Sequence, residues 1–346
     1  MMKIIRMNVF MILVIFPEIL IRFSSTHIYQ IYYSEAVLKI KGNGQQRILG
    51  QFFSVCPDEV HINSVQSEED LCEFANLEEN ENTIKLVFYE NLVTCRELFR
   101  DIENVTEIDL SNFDTSSTLD MGYMFSSCTS LTSVNISNLN VESVGEMSGL
   151  FYECQSLVSV DFSGLKTSSL NSTKFMFYDC SSLKYVKLSN FDTSNVVDMK
   201  YMFYNCQSLI SLDLSNFDTN LVTSMYDMFS GCNNLEYINM TNSPDSTKLE
   251  VSGTANNIVI CINNEPNSDL VSSISSGKCG IVDCSENWRE NQNKVLADDG
   301  SCISSCQDST ENIYEYLNKC YILKELRLIM IIFVKYLKLK YHLLIH

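Results

Sequence analysis

The chain has 346 residues, of which 45% are apolar, so two or three domains and a substantial buried core are expected. Its 43 acidic residues outnumber the 24 basic residues and give a formal net charge of −19. Phosphate binding needs clustered lysine and arginine, so this charge argues against nucleic acid as a partner.

The first 25 residues have the order of a secretory signal peptide. Lys3 and Arg6 form a basic start, residues 9–16 are an unbroken apolar run, and small residues follow near Ser24. The apolar run is too short to span a bilayer. Residues 1–25 therefore predict a protein that is secreted or displayed at the cell surface. The alternative is an N-terminal helix that packs into a core.

Residues 26–97 lack the repeat that follows them and contain Cys56, Cys72 and Cys95. A stack of repeats exposes the apolar face of its first unit, so a terminal cap is physically required. We expect residues 26–97 to form that N-terminal cap.

From residue 98 onward the sequence repeats every 26 residues. Three independent columns of side chains keep this step: Phe99, Phe125, Phe151, Phe177, Phe203 and Phe229; Val105, Leu131, Leu157, Leu183, Leu209 and Leu235; Cys128, Cys154, Cys180, Cys206 and Cys232. A period of about 20 to 29 residues with a Leu-x-x-Leu-x-Leu core is typical of leucine-rich repeats. We therefore assign residues 98–253 to a leucine-rich-repeat solenoid.

Each repeat predicts a strand followed by a helical turn. Leu209, Leu212 and Leu214 alternate as a short strand with one apolar face. In the preceding unit, four apolar residues recur at helical spacing: Val196, Met199, Met202 and Phe203. Thr193 or Ser194 would cap the start of this helix. The expected fold is thus an α/β repeat solenoid of about six coils with a short concave parallel sheet.

Two repeat segments carry a family resemblance. SNFDTSSTLDMGYMFSSCTSL (residues 111–131) and SNFDTSNVVDMKYMFYNCQSL (residues 189–209) resemble the BspA-type leucine-rich-repeat family of bacterial and protist surface proteins. The resemblance covers about residues 98–240. The units near Gly149 and Lys166 depart from the motif without shifting the 26-residue step. The resemblance implies a cell-surface protein that adheres to host or neighbouring cells.

Outward-pointing strand residues define a candidate ligand site on the concave face. The candidate residues are Asp161, Tyr185, Lys187, Asp213 and Tyr237. Tyrosine is a common anchor of interfaces, which favours this patch. The alternative is a solvated face with the binding edge elsewhere. Four Asn-x-Ser/Thr sequons are candidate glycosylation sites: Asn104, Asn135, Asn171 and Asn239.

The periodic cysteines and the repeated Asn-x-Asp turns have two interpretations each. The five cysteines share an apolar column, which favours buried free thiols over redox chemistry, although disulfides between coils remain open. The Asn-x-Asp pairs could suggest calcium, but one turn supplies too few oxygen ligands, and turn formation explains them better. We assign no metal and no cofactor.

Residues 254–320 predict a disulfide-rich module. It contains six cysteines: Cys261, Cys279, Cys284, Cys302, Cys306 and Cys320. In a secreted chain these imply three disulfides, whereas a zinc site is the competing interpretation. The segment DDGSCISSC (residues 298–306) weakly resembles growth-factor-receptor-type cysteine-rich modules.

Residues 321–346 form an apolar and basic tail. Its apolar run, residues 328–334, is far shorter than a spanning helix needs. The tail could tether the protein to a membrane surface, or a true anchor could lie in a corrected C-terminus.

The sequence predicts a non-enzymatic protein. The only histidines are His27, His61, His342 and His346, so no histidine within the repeats or the cysteine-rich module could serve as a catalytic base. We expect an adhesion or recognition protein that binds an extracellular protein or glycan. The alternative is a receptor or pattern-sensing ectodomain whose membrane anchor is missing from this sequence.

Overall fold

The computed structural model describes residues 33–240, Thr254 and six short strands nearer the C-terminus, at residues 259–261, 281–282, 295–296, 302–303, 313–316 and 319–322. Within these ranges the chain forms strands and turns and no helix. The described residues therefore contain no helix that is long and apolar enough to cross a membrane. The predicted signal peptide and residues 323–346 of the predicted tail lie outside the described ranges.

The segment before the repeats is a small antiparallel β-structure. Its strands are β1 Ser34–Lys41, β2 Gly44–Arg47, β3 Glu59–Ile62, β4 Val65–Gln66, β5 Phe74–Leu77 and β6 Glu81–Phe88. β6 pairs antiparallel with both β1 and β3, while β2 and β5 form a separate ladder. Alternation buries Leu38 and Ile40 of β1 and exposes Lys39 and Lys41. A disulfide joins Cys56 to Cys72 in this segment.

The repeats supply six strands at the 26-residue step. They are β7 Val105–Asn112, β8 Ser133–Asn135, β9 Ser159–Asp161, β10 Tyr185–Lys187, β11 Ser211–Asp213 and β12 Tyr237–Asn239. Equivalent residues pair in parallel, so Glu107 lies opposite Ser133 and Tyr185 opposite Ser159. Each repeat is thus one coil that stacks on the next, and we call residues 94–240 the repeat stack.

Ladders of like side chains fill the interior of the repeat stack. The six phenylalanines of the periodic column are buried, with ring centroids of successive residues 5.0 to 6.0 Å apart. The same core continues into the N-terminal segment through Leu38 and Ile84. β1 also pairs antiparallel with β7 and so occupies the outer edge of the first repeat strand.

The predicted α/β leucine-rich-repeat solenoid is wrong. Where Met199 and Met202 predicted a helix, the chain makes consecutive turns. Two residues of this segment adopt a left-handed backbone, Tyr201 with φ 57° and Asn205 with φ 58°. A residue with positive φ interrupts a right-handed helix. Two left-handed residues four positions apart therefore convert an apparently helical spacing into a series of turns.

Stacking explains why the chain adopts these turns. Alternate N–H groups point to the next coil, so that Tyr201 N donates to Tyr226 O and Phe203 N to Met228 O, both at 3.0 Å. An α-helix would direct these donors along its own axis to residues four positions earlier. The same two bonds join each of the five coils from Glu97 to Phe203 to the next coil. Beside them runs a column of parallel bridges: Thr94, Asp120, Glu146, Ser172, Asp198 and Ser224.

The predicted parallel sheet is divided into separate ladders. β7 pairs with β8 and β9 with β10, while β11 and β12 continue in parallel to β13 Val259–Cys261 and β14 Ile281–Val282. Two antiparallel pairs follow, β15 Val295–Leu296 with β16 Cys302–Ile303 and β17 Ile313–Tyr316 with β18 Lys319–Ile322. Apart from Thr254, the side chains of the predicted cysteine-rich module, its six cysteines included, lie outside the described residues.

Candidate binding surfaces

The outward-pointing side chains of β7–β12 form one surface, which we call the strand face. Its residues are Glu107, Asp109, Ser133, Asn135, Ser159, Asp161, Tyr185, Lys187, Ser211, Asp213, Tyr237 and Asn239. Most are exposed, whereas Tyr237 and Asn239 are half-buried. Residues between them, such as Val160 and Leu212, point into the core. All five predicted ligand-binding residues lie on this face.

Asp161 and Lys187 on the strand face are bonded to each other. Lys187 Nζ donates to Asp161 Oδ2 at 2.7 Å across the β9–β10 ladder. The backbone N–H and the hydroxyl of Ser163 donate to Asp161 Oδ1 at 2.9 and 2.6 Å. The Lys187 and Ser163 hydrogen bonds lower the pKa of Asp161 to about 2. The two charges are therefore paired with each other, and the Tyr185 ring on the same strand as Lys187 is 60% exposed.

Asp213 and Tyr237 lie on the neighbouring ladder. Asp213 is opposite Asn239, and Asp213 Oδ1 accepts a hydrogen bond from Ser215 N at 3.0 Å. The structure thus brings Asp161, Tyr185 and Lys187 together on one pair of strands and places Asp213 with Tyr237 on the next pair. Their role in ligand binding stays a prediction.

The repeated Asn-x-Asp segments form turns. Asp114, Asp192 and Asp218 each accept a hydrogen bond at 2.9 Å from the backbone N–H two residues later. Ser194, a predicted helix cap, is the donor to Asp192, and Thr193 donates to Asp218 O of the next coil at 3.0 Å. The turn interpretation is confirmed. In the described part of the chain, no group of three or more His, Cys, Asp or Glu side chains is arranged to hold a metal ion.

The periodic cysteines are buried free thiols, as predicted. Each thiol reaches a phenylalanine carbonyl of the preceding coil, as Cys154 Sγ does to Phe125 O at 3.0 Å. Burial raises the pKa of Cys154 and Cys206 well above the usual value, and the pKa of Cys95 to about 12. Cys95, Cys154 and Cys206 therefore remain protonated at neutral pH. The buried periodic cysteines pack as small apolar groups.

The four predicted glycosylation sites fall on or beside the repeat stack. Asn104, Asn135 and Asn171 are exposed, and Asn239 is half-buried. The amide of Asn104 donates to Gln46 Oε1 at 2.8 Å, and that of Asn135 donates to Asp109 Oδ1 at the same distance. Glycan attachment stays a prediction.

A second surface, which the sequence patterns did not predict, is lined by aromatic rings. Two columns of rings border it: Tyr123, Phe175 and Tyr201 in one, and Tyr152, Tyr178 and Tyr204 in the other. We call this the aromatic groove; its volume is about 790 Å³. In the sequence a tyrosine directly follows the core phenylalanine in three successive repeats, which is the signal that could have located it.

The rings of the aromatic groove support one another. Tyr178 stacks between Tyr152 and Tyr204, with centroid distances of 4.8 and 4.7 Å. Phe175 stacks on Tyr201 at 5.2 Å and meets Tyr178 nearly edge to face, at 80°. Aromatic pairs in these geometries stabilise each other beyond the area that they bury. The rings therefore form a pre-arranged wall.

The charged residues of the groove are mainly acidic. Arg100 lies at one end and is paired, since its Nη1 is 2.7 Å from Glu97 Oε1 and its Nε is 3.6 Å from Asp101 Oδ2. Glu153 and Asp227 also line the groove. Burial, assisted by the charge of Glu153, raises the pKa of the Tyr152 phenol to about 12, so its hydroxyl stays neutral at physiological pH.

Comparison with known proteins identifies a family for the repeats. The family model described as "Mycoplasma protein of unknown function, DUF285" matches residues 72–187 and 153–250. These overlapping matches span more than half of the chain and include the whole repeat stack. No curated protein matches the sequence. The chain therefore belongs to the DUF285 family of repeat proteins.

Proposed function

We propose that the protein is a non-enzymatic adhesion or recognition protein, secreted or held at the cell surface, which binds an extracellular protein or glycan through the strand face. The observation that carries this proposal is the exposed Tyr185 ring beside the Lys187–Asp161 ion pair on a rigid stack. Tyrosines anchored on rigid scaffolds contribute strongly to interfaces. The resemblance of the repeats to BspA-type surface proteins supports the same function.

Two further observations favour an extracellular, non-catalytic protein. The Cys56–Cys72 disulfide suits an oxidising compartment, because cytosolic thiols are kept reduced. No histidine lies between His61 and His342, so the repeat stack contains no histidine that could act as a general base for a serine or cysteine nucleophile.

Protease shaving of intact producing cells tests the proposed location. An antibody against the repeat stack should detect loss of the full-length band when cells are treated with an external protease, while a cytosolic marker stays intact. A mobility shift of the band after glycosidase treatment would show in addition that the sequons carry glycans. Complete protection of the band in intact cells, with digestion after lysis, would contradict an extracellular location.

Substitution of the strand face tests the proposed binding site. The purified protein is applied to a printed glycan array and to an array of purified extracellular proteins. We expect Tyr185→Ala combined with Lys187→Ala to weaken binding to the strongest ligand by at least about tenfold, since loss of a hot-spot anchor typically costs about 2 kcal/mol or more and about 1.4 kcal/mol is tenfold.

The matched control removes a similar pair elsewhere on the stack. Lys166 forms a comparable exposed ion pair with Glu142 at 2.8 Å, and Leu221 is 53% exposed, yet neither belongs to the strand face. Lys166→Ala combined with Leu221→Ala should leave affinity unchanged. Equal affinities of the strand-face variant and the unaltered protein would show that the ligand binds elsewhere.

A further inference from the structure

The aromatic groove is a pre-arranged surface of the repeat stack. Its rings project from turns that are held by hydrogen bonds between coils, as Tyr123 N donates to Ser148 O at 2.9 Å and Tyr201 N to Tyr226 O at 3.0 Å. Because the rings also stack on each other, little side-chain entropy is lost when a ligand contacts them. The buried phenylalanine column already fills the core beneath, so the half-buried tyrosines present additional aromatic surface to the outside.

The spacing of the rings matches one type of extended ligand. Tyr152, Tyr178 and Tyr204 follow one another at 4.8 and 4.7 Å, so two coils advance by about 9.5 Å. A polyproline II helix rises about 3.1 Å per residue and completes a turn in three residues, or about 9.3 Å. An extended β-strand repeats each side-chain direction every ~6.6–6.8 Å and loses register with the rings. A polyproline II segment therefore presents an equivalent side chain to every second coil.

Ring stacking argues against a sugar at the centre of the groove. A sugar that stacks on an aromatic residue needs a free ring face. Both faces of Tyr178 are covered, since neighbouring rings stack on it within 7° and 8° of parallel. The ring edges remain available, and aromatic-lined grooves are the surfaces on which proline-rich segments dock.

The charge of the groove selects a basic ligand. Glu153 and Asp227 line it, whereas Arg100, which also lines it, is paired with Glu97 and Asp101. The net charge of −19 makes a second copy of this chain a poor occupant, because two acidic surfaces repel each other. A partner with lysine or arginine side chains is electrostatically complementary.

We propose that the aromatic groove is a second binding site, separate from the strand face, which takes a basic, proline-rich peptide segment of a partner protein in the polyproline II conformation. The groove extends over the five coil steps that separate Arg100 from Asp227 along the stack. At about 4.8 Å per step this is roughly 24 Å, the length of about eight residues in that conformation.

Selection from a displayed library of random nine-residue peptides tests the proposal on the full-length protein. We expect enriched sequences to contain proline at three-residue spacing with lysine or arginine between. The leading peptide, labelled for fluorescence anisotropy, should bind Tyr178→Ala at least tenfold more weakly. Tyr178→Phe should retain most of the affinity because it keeps the ring.

A charge variant and a strand-face variant complete the design. Glu153→Gln combined with Asp227→Asn leaves the rings intact and should weaken binding of the basic peptide and reduce its salt dependence, even if Tyr178→Ala fails to fold. Tyr185→Ala combined with Lys187→Ala should bind the peptide normally, which separates this proposal from the proposed strand-face function. Enrichment of acidic or proline-free peptides, or equal affinity for the groove variants, would overturn the proposal.

Discussion

Replacing Phe177 with alanine should lower the free energy of unfolding by about 3–5 kcal/mol, the usual loss when a buried aromatic ring is deleted. The Phe177 ring is 0% exposed. It stacks on Phe151 at 5.7 Å and on Phe203 at 5.2 Å, and it meets Phe162 edge to face at 6.1 Å. Because both neighbouring coils contact this ring, the cavity weakens two interfaces of the stack at once.

Urea unfolding measures this loss, and hydrogen exchange locates it. Amides of the coils that contain Phe151 and Phe203 should exchange faster than those of β6 in the N-terminal segment. The control is Val197→Ala, which truncates a side chain that is 42% exposed and should change stability by no more than about 0.5 kcal/mol. A loss below about 1 kcal/mol for Phe177→Ala would mean that the phenylalanine column does not support the stack.

Removing the disulfide by Cys56→Ser combined with Cys72→Ser should cost about 3 kcal/mol. The two cysteines are 16 residues apart in the sequence. Their bond limits the conformations of the unfolded chain by closing a loop of that length, so its removal favours the unfolded state. The effect should concentrate in the N-terminal segment, whose β1 strand pairs with the first strand of the repeat stack.

The same urea titration, with hydrogen exchange of β1 and β3, measures this second effect. Val55→Ala, next to the bridge, truncates a side chain that is 42% exposed and provides the control, with an expected change within about 0.5 kcal/mol. Wild-type protein and the double serine variant would have the same unfolding midpoint if the bridge made no contribution.

Much of the repeat stack was predictable from the sequence alone. Side-chain periodicity, which recurs in every repeat, predicts the 26-residue step and the buried Phe, Leu and Cys columns. It also predicts that Asp161 and Tyr185 point outward. The turn role of Asp192 was also predictable, because an aspartate bonds to nearby backbone N–H groups whatever the tertiary fold.

The tertiary structure decided what adjacent coils impose on one another. Spacings of three and four residues are common to an amphipathic helix and to these turns. Hydrogen bonds to the next coil select the turns, and they join Tyr201 to Tyr226, 25 residues away. The Lys187–Asp161 pair, the Cys56–Cys72 bond and the stacking of Tyr178 on Tyr204 likewise depend on which coils and strands become neighbours. Local sequence determines the face of its coil on which a side chain lies. Packing of the coils and strands determines which side chains become neighbours.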